Sequence, residues 1–444
     1  MFSVSTGKID ITPSAGYPMA GYGVDSPRLA TGTNRALYAR CTILYDGAVP
    51  HVLVTVDVLG FRRDTHQQIR TAVTGLGIPP EDFVLTATHT HNGPVLSEGL
   101  DPFIAYDLQN LTSVDTYTTW LVATITTLVA QTKAAPGTPC TLDYFVLDED
   151  FSFNREGLPY VERDVPCLVA RAGDGTPRAV LFGYGAHPVA GGIQTLFDPD
   201  YPGPAIDAIE AQWPGCLAQF MTGPAGDQNP TSTAGFADVD TFGDDLGATV
   251  VNAIAQQGRA LTGPMTSCYG EVTLPLDVTL TLANVAAVRA EYAARSANAA
   301  VVGYERRHAL RMTQLIDATP LANLEQTVPL PVQRWTIGGD EPLVLLFCGG
   351  EVVSGFAVDI RQENGGSAGV WFLAYSNEIP GYIPSDELLQ SATYAGGYDP
   401  DFPGIAAESM AVYDHWAHFL RGAPGTDGVE QVFLAHLRNL MSTP

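Results

Sequence analysis

Short apolar runs of strand length alternate with amphipathic helical patterns through most of this chain, and no other feature restricts its fold as much. HVLVTVD, from His51, reads as a buried strand, RRDTHQQIRTAVTGLG, from Arg62, as an amphipathic helix stopped at glycine, and DFVLTATHTH, from Asp82, as a second strand. The order recurs at RAVLFGYGAH (from Arg178), PGPAIDAIEAQW (from Pro202, with proline in its first turn) and CLAQFMTG (from Cys216). It appears again at PLVLLFCGGE (from Pro342), VVSGFAVDIRQ and GVWFLAYSN (from Gly369). A helix-rich middle covers Leu282 to Gln326, and two helices, near Ile405 to Arg421 and Val429 to Met441, close the chain. Strands alternating with helices predict a mixed, layered α/β fold with a largely buried sheet.

At roughly 150 residues per domain, 444 residues would make two or three domains. No Ser/Gly tract, run of like charges or sequence repeat marks a boundary, so residues 1–444 read as one domain. Lys+Arg 22 against Asp+Glu 48 gives a net charge of −26, which excludes nucleic acid and anionic membrane as default partners. Lysine occurs only at Lys8 and Lys133, so an arginine inside a motif is there for its planar fork. The start, MFSVSTGKIDITPSAG, lacks the basic, apolar and small-residue regions of a secretory signal; the chain as given reads as cytoplasmic, or as a mature secreted form. No apolar stretch approaches the roughly 20 residues that span a bilayer, and TWLVATITTLVAQT around Trp120 reads as a buried helix. The six cysteines (Cys41, Cys140, Cys167, Cys216, Cys268, Cys348) form no CxxC pair, which argues against a thiolate zinc site and for plain buried residues.

Several polar clusters follow directly on predicted strands: THTHNGP, AHPVAGG, GPAGDQNP, GGE and SNEIPGY. Ligand sites of open α/β sheets gather at that edge, so these loops are expected to share a pocket. His89 and His91, one residue apart at a strand end, point to the same face by the strand's period of two and can address one metal or one substrate. His187 adds a third imidazole and Glu351 a carboxylate, a set that suits zinc in an open catalytic site. His415 and His418, at i, i+3 in YDHWAHFL, read instead as a helix surface feature. GPAGDQNP lacks the lysine of a phosphate loop, and no GxSxG elbow is present.

In order, TGKIDITP, MAGYG, ATHTHNGP, FNR, AHPVAGG, DPDYPG, GPAGDQNP, GGE, SNEIPGYIP and GGYD resemble the neutral (non-lysosomal) ceramidase family, over about Thr6 to Tyr398. The resemblance implies a zinc-dependent amidase. It implies His89, His187, Glu351 and Tyr382 as metal ligands, and His91, Arg155 and Tyr398 as the groups that hold the scissile amide and its oxyanion. It also implies a ceramide-like N-acyl substrate, cleaved by a metal-bound hydroxide. Asn92 and Asn229 stand where ceramidases carry serine. GGYD lies farther beyond Tyr382 than the family pattern, which makes Tyr394 an alternative to Tyr398. The last motif lies close to the end of the sequence, so the resemblance is expected to cover the catalytic domain alone, without the C-terminal β-sandwich of full-length ceramidases. Two other readings stand beside this one: the same metal site acting on an ester, lactone or sugar-derived linkage of a small soluble molecule, and a non-catalytic, metal-stabilised binding protein.

Overall fold

The computed structural model describes residues 2–97, 101–390, 397–406 and 415–442. Its large sheet contains β1 (Phe2–Asp10), β2 (Tyr38–Asp46), β3 (Val49–Val56), β4 (Phe83–Ala87), β5 (Thr138–Asp148), β6 (Asp164–Ala172), β7 (Pro177–Tyr184) and β8 (Leu217–Thr222). These run in the order β8-β7-β6-β5-β1-β2-β3-β4, with Arg259–Leu261 pairing beside β5. A second sheet runs β9 (Met265–Pro275), β10 (Thr327–Ile337), β11 (Leu343–Cys348), β12 (Val370–Leu373). The predicted mixed α/β class is therefore what the chain adopts.

The helices are α1 (Arg63–Thr74), α2 (Thr112–Ala134), α3 (Pro202–Gln212), α4 (Phe236–Ile254), α5 (Leu282–Ala297), α6 (Gly303–Ala318), α7 (Ser354–Glu363) and α8 (Val429–Ser442), besides the short Pro102–Tyr106. One arrangement occurs three times: an antiparallel hairpin, a helix, then a strand parallel to the second hairpin strand. It is β2-β3-α1-β4, then β6-β7-α3-β8, then β10-β11-α7-β12. The sequence shows no repeat because each copy keeps only the apolar period and the order of elements, not the residues or the turn lengths.

The copies are joined through two buried clusters. Val54 and Leu85 of the first belong to the same buried cluster as Leu346 and Phe372 of the third, and Leu53 and Val84 share a second cluster with Trp335, Phe347 and Trp371. The large sheet also coils, so that its distant strands meet. Gln219 of β8 donates to the Arg40 carbonyl at 3.1 Å and to Thr55 Oγ1 at 3.3 Å, on β2 and β3. Thr222 Oγ1 donates to the Thr88 carbonyl at 2.8 Å. The chain leaving β12 fits between these ends: Ala87 N donates to the Tyr375 carbonyl, Asn377 N to the Leu85 carbonyl, and Ala374 N to the Thr222 carbonyl. This convergence brings the loops after β4, β7, β8, β11 and β12 to one place.

Two expectations are corrected. The segment from His415 to Arg421 is irregular rather than helical, while residues 407–414 lie outside the described residues. His415 and His418 are accordingly buried, His415 against Glu325 at 2.8 Å and His418 against the Phe419 carbonyl at 2.7 Å. The helix around Trp120 buries one face, with Leu121, Ile125, Leu128 and Val129, but leaves Trp120 itself 44% exposed. No described helix is long and apolar enough to cross a membrane. The six cysteines are unpaired, all buried except the partly buried Cys268.

Candidate metal centre

His89 lies two residues past the end of β4, in the left-handed backbone region (φ 65°), so it is not a continuation of the strand. Its amide donates to the Val58 carbonyl at 3.0 Å, and its Nδ1 lies 2.5 Å from the Leu59 carbonyl. A carbonyl only accepts, so the proton sits on Nδ1 and the Nε2 lone pair faces inward. His187, three residues past β7, is held the same way: its Nδ1 is 3.1 Å from the Gln228 carbonyl. Both Nε2 atoms converge on one oxygen, Glu351 Oε2, at 3.2 Å from His89 and 2.9 Å from His187. Glu351 begins a two-residue strand paired in parallel with Tyr382–Ile383.

Two lone pairs aimed at a carboxylate oxygen repel one another unless a cation sits among them, and backbone carbonyls that fix the outer nitrogens are the usual support of metal-bound histidine. His91 completes the cluster. Its two ring nitrogens are buried without a hydrogen-bond partner among the described residues, and ligand atoms of His89, His91 and His187 lie within 4.8 Å of one another. The three imidazoles could thus hold a metal ion, with Glu351 alongside.

Electrostatics follow the same geometry. Burial, then Arg155, pushes His187 down to about 4. Burial, then His89 and His187, holds His91 well below the usual range. Burial alone would raise Glu351, but His89 and His187 outweigh it and keep the carboxyl well below its ordinary value. His91 and His187 are therefore neutral and the Glu351 carboxylate charged at neutral pH, the protonation state a metal requires.

The surrounding loops are tied together. Asp227 Oδ1 accepts from Ser354 N, and its Oδ2 accepts from Ser354 Oγ and Asn154 Nδ2, at 2.7 to 2.8 Å. Gly226, beside it, packs so tightly that a Cβ would lie 2.5 Å from the Glu351 carbonyl oxygen. Asp200 accepts from Ala190 N, Gly191 N and Tyr201 N, which shapes the loop after His187. Arg155 Nη2 donates to the Gly226 carbonyl at 2.5 Å and to Tyr382 OH at 3.1 Å. The Tyr382 ring lies nearly parallel to that of His187, with centroids 6.5 Å apart.

These contacts bring His89, His91, His187, Glu351, Arg155 and Tyr382 together. They do not bring Tyr398, whose hydroxyl donates to Asp277 and whose ring meets His418 at 3.8 Å. Tyr394 lies outside the described residues.

Sequence reasoning missed Tyr375 and Arg28. Tyr375 OH lies 3.3 Å from Glu351 Oε2, and its ring is 4.3 Å from that of His89. Buried Arg28 donates to the His91 carbonyl at 2.6 Å, Asn92 Oδ1 at 2.7 Å and the Gln194 carbonyl at 2.9 Å. The available signals were the strand-end position of Tyr375 and the rule that arginine here serves as a fork. Asn92, in the place of a ceramidase serine, is thereby part of a loop clamp.

A cavity of about 500 Å³ opens over the cluster. His91, His187, Arg155, Asn229, Thr233 and Tyr304 are among the residues that line it. Gly21 (φ 113°) lets the MAGYG loop approach this lining: a Cβ at that position would lie 2.4 Å from the His91 Cα, so a side chain there would displace His91.

Fold and site define a mixed α/β protein with a buried histidine–carboxylate centre where strand ends meet. Its fold is that of neutral ceramidase. The neutral ceramidase from Pseudomonas aeruginosa superimposes with a TM-score of 0.66 at 19% identity, over 87% of this chain and 69% of that one. A ceramidase complexed with C2 superimposes with a TM-score of 0.67 at 19% identity, over 87% and 70%. No protein-family model and no curated protein sequence matches the chain.

Proposed function

We propose that the chain is a zinc-dependent hydrolase that cleaves an amide bond of an N-acyl substrate, its residues 1–444 acting as one catalytic domain. The carrying observation is the convergence of His89 Nε2 and His187 Nε2 on Glu351 Oε2, each imidazole fixed through Nδ1. The nitrogen and oxygen donor set is that of an open catalytic zinc site. In this reading His89, His187, Glu351 and Tyr382 hold the ion, and His91, although its ring nitrogens lie within reach of the same point, is left to face the substrate. When bound, zinc lowers the pKa of water to about 7 and polarises a carbonyl.

The chain's own residues do the rest. The Arg155 fork, held by the Gly226 carbonyl and beside Tyr382 OH, places a fixed positive charge at the cavity wall. A fixed donor there stabilises negative charge that develops on an amide oxygen, without reorganisation during the reaction. His91, neutral because it is buried among other imidazoles, offers a donor or an acceptor on either nitrogen. Tyr398, held on Asp277, has no part in this step as placed. The neutral ceramidase fold supports an N-acyl lipid as the substrate. The modest, partly polar cavity, with Asn229 and Thr233 in its lining, supports the second reading, an ester or other linkage of a small soluble molecule.

Activity of the zinc-loaded protein against short- and long-chain N-acyl amides, aryl esters, lactones and glycosides tests the proposal. Turnover of the amides is expected. Turnover of esters, lactones or glycosides alone would transfer the assignment to the second reading, and no turnover of any member would overturn both.

A further inference from the structure

One residue of the cavity lining comes from outside the three repeated units. Tyr304, in the first turn of α6, lines the cavity together with Gly21, Tyr22 and Gly23 of the MAGYG loop. That loop runs from His91 to Tyr304: a Cβ on Gly21 would lie 2.4 Å from the His91 Cα, and one on Gly23 would lie 2.9 Å from two carbons of the Tyr304 ring. Between them the Tyr22 ring stands 5.1 Å from that of His91, with the Arg28 guanidinium 5.1 Å from its centre. Two residue steps of extended chain, six backbone bonds, cover at most about 7 Å. An acyl chain laid along the loop from His91 therefore meets Tyr304 after about six carbons.

The backbone on both sides of this contact is held. Arg307, one turn beyond Tyr304, donates from Nε to the Phe103 and Ile104 carbonyls at 2.9 and 3.0 Å, and from Nη2 to the carbonyl of Val24, the residue after Gly23. Val24 N donates to the Ala105 carbonyl at 2.9 Å. Gly303 packs so closely on Asp25 that a Cβ there would lie 1.9 Å from Oδ1. A longer acyl chain must then displace the half-buried Tyr304 ring or leave the cavity. In a close apolar site a single methylene changes discrimination by about tenfold or more. Volume points the same way. A six-carbon ring occupies about 150 Å³, so the cavity of about 500 Å³ holds roughly three such groups and not two long hydrocarbon chains. Arg155, Asn229 and Thr233 offer partners to the polar remainder of a substrate, which leaves the glycine and tyrosine stretch for the acyl chain.

We propose that Tyr304 is a specificity-determining residue that ends an acyl subsite of about six carbons, so that the substrate is a short-chain N-acyl compound. This rests on the hydrolase reading above. Calorimetric titration of the zinc-loaded protein with acetate, hexanoate and dodecanoate, the carboxylates that amide cleavage would release, tests it beside turnover of the matching N-acyl derivatives of para-nitroaniline. Hexanoate should bind about tenfold or more tightly than either of the others, with the same order in kcat/KM. Tyr304→Ala, at the parent's zinc content, should erase the preference over dodecanoate. Tyr304→Trp, which adds volume at the same place, should move the preference toward acetate. Absence of binding by all three carboxylates would overturn the proposal, as would a parent that does not favour hexanoate, or a preference left unchanged by either substitution, even if the amides are hydrolysed. A hexanoate preference that both substitutions shift, with no amide hydrolysed, would instead overturn the hydrolase reading and leave Tyr304 as the end of the subsite.

Discussion

His187 Nε2 and Glu351 Oε2 stand 2.9 Å apart although 164 residues separate them in the chain. Each is fixed before it meets the other, His187 by the Gln228 carbonyl and Glu351 by the short strand it shares with Tyr382. That separate fixation is what preorganises a metal site, because binding then requires little rearrangement.

Loss of a ligand should therefore remove the ion. Purified His89→Ala and Glu351→Ala are expected to contain little zinc by elemental analysis, whereas His91→Ala should keep it and lose turnover. Full zinc in both of the first two variants would sink the ligand assignment.

Arg155 is predicted to act on rate. Arg155→Ala should lower kcat on the order of a hundredfold or more, the usual effect of removing a fixed oxyanion donor, with zinc content unchanged. Arg155→Lys should recover only part of this, since one ammonium cannot replace both Nη2, which bonds the Gly226 carbonyl and Tyr382 OH, and Nη1, which reaches Asn229 Oδ1. A kcat equal to that of the parent in Arg155→Ala would remove it from the mechanism.

Tyr375 is predicted to position Glu351. Removing its hydroxyl in Tyr375→Phe deletes the 3.3 Å contact to Oε2 and should weaken zinc affinity by about 10-fold or more, the range for groups that support metal ligands. Competition with a chelator measures this. Unchanged affinity would make the tyrosine simple packing.

Asp227 should matter for stability. In Asp227→Ala the Ser354 amide, Ser354 hydroxyl and Asn154 amide lose a buried acceptor, at about 1–3 kcal/mol for each donor left unpaired. Denaturant unfolding should show a lower midpoint with an unchanged slope. A midpoint equal to that of the parent would show that the three loops hold without it.

Asp198 should give stability a pH dependence. Burial raises its carboxyl to about 6, against the opposing bond from Asn34. Because the folded-state pKa lies above the unfolded one, the folded protein binds more protons between about pH 4 and 6. Its contribution to stability should thus fall as pH rises through that window, by on the order of 3 kcal/mol. Asp198→Asn should flatten the fall, and an identical pH profile in the variant would exclude Asp198 as its source.

Much of this was legible in the chain itself. Apolar runs of strand length, helices closed by glycine and polar clusters after each strand determined the mixed α/β class, because burial selects those periods whatever the neighbours. They also marked His89, His187 and Glu351 as strand-end groups. His89 and His91 do meet, but not through the period of a continuing strand: β4 stops at Ala87, and the left-handed turn at His89 brings the rings to 5.0 Å. Tertiary structure alone decided the remainder. His415 and His418 turn inward to Glu325 and the Phe419 carbonyl instead of sharing a helix face. Tyr375 entered the site because β12 exits between β4 and β8, and Tyr398 was carried to Asp277. Local pattern fixes which face of a strand is apolar, but which distant loops meet depends on how the sheet coils, and that is set by the whole packed core.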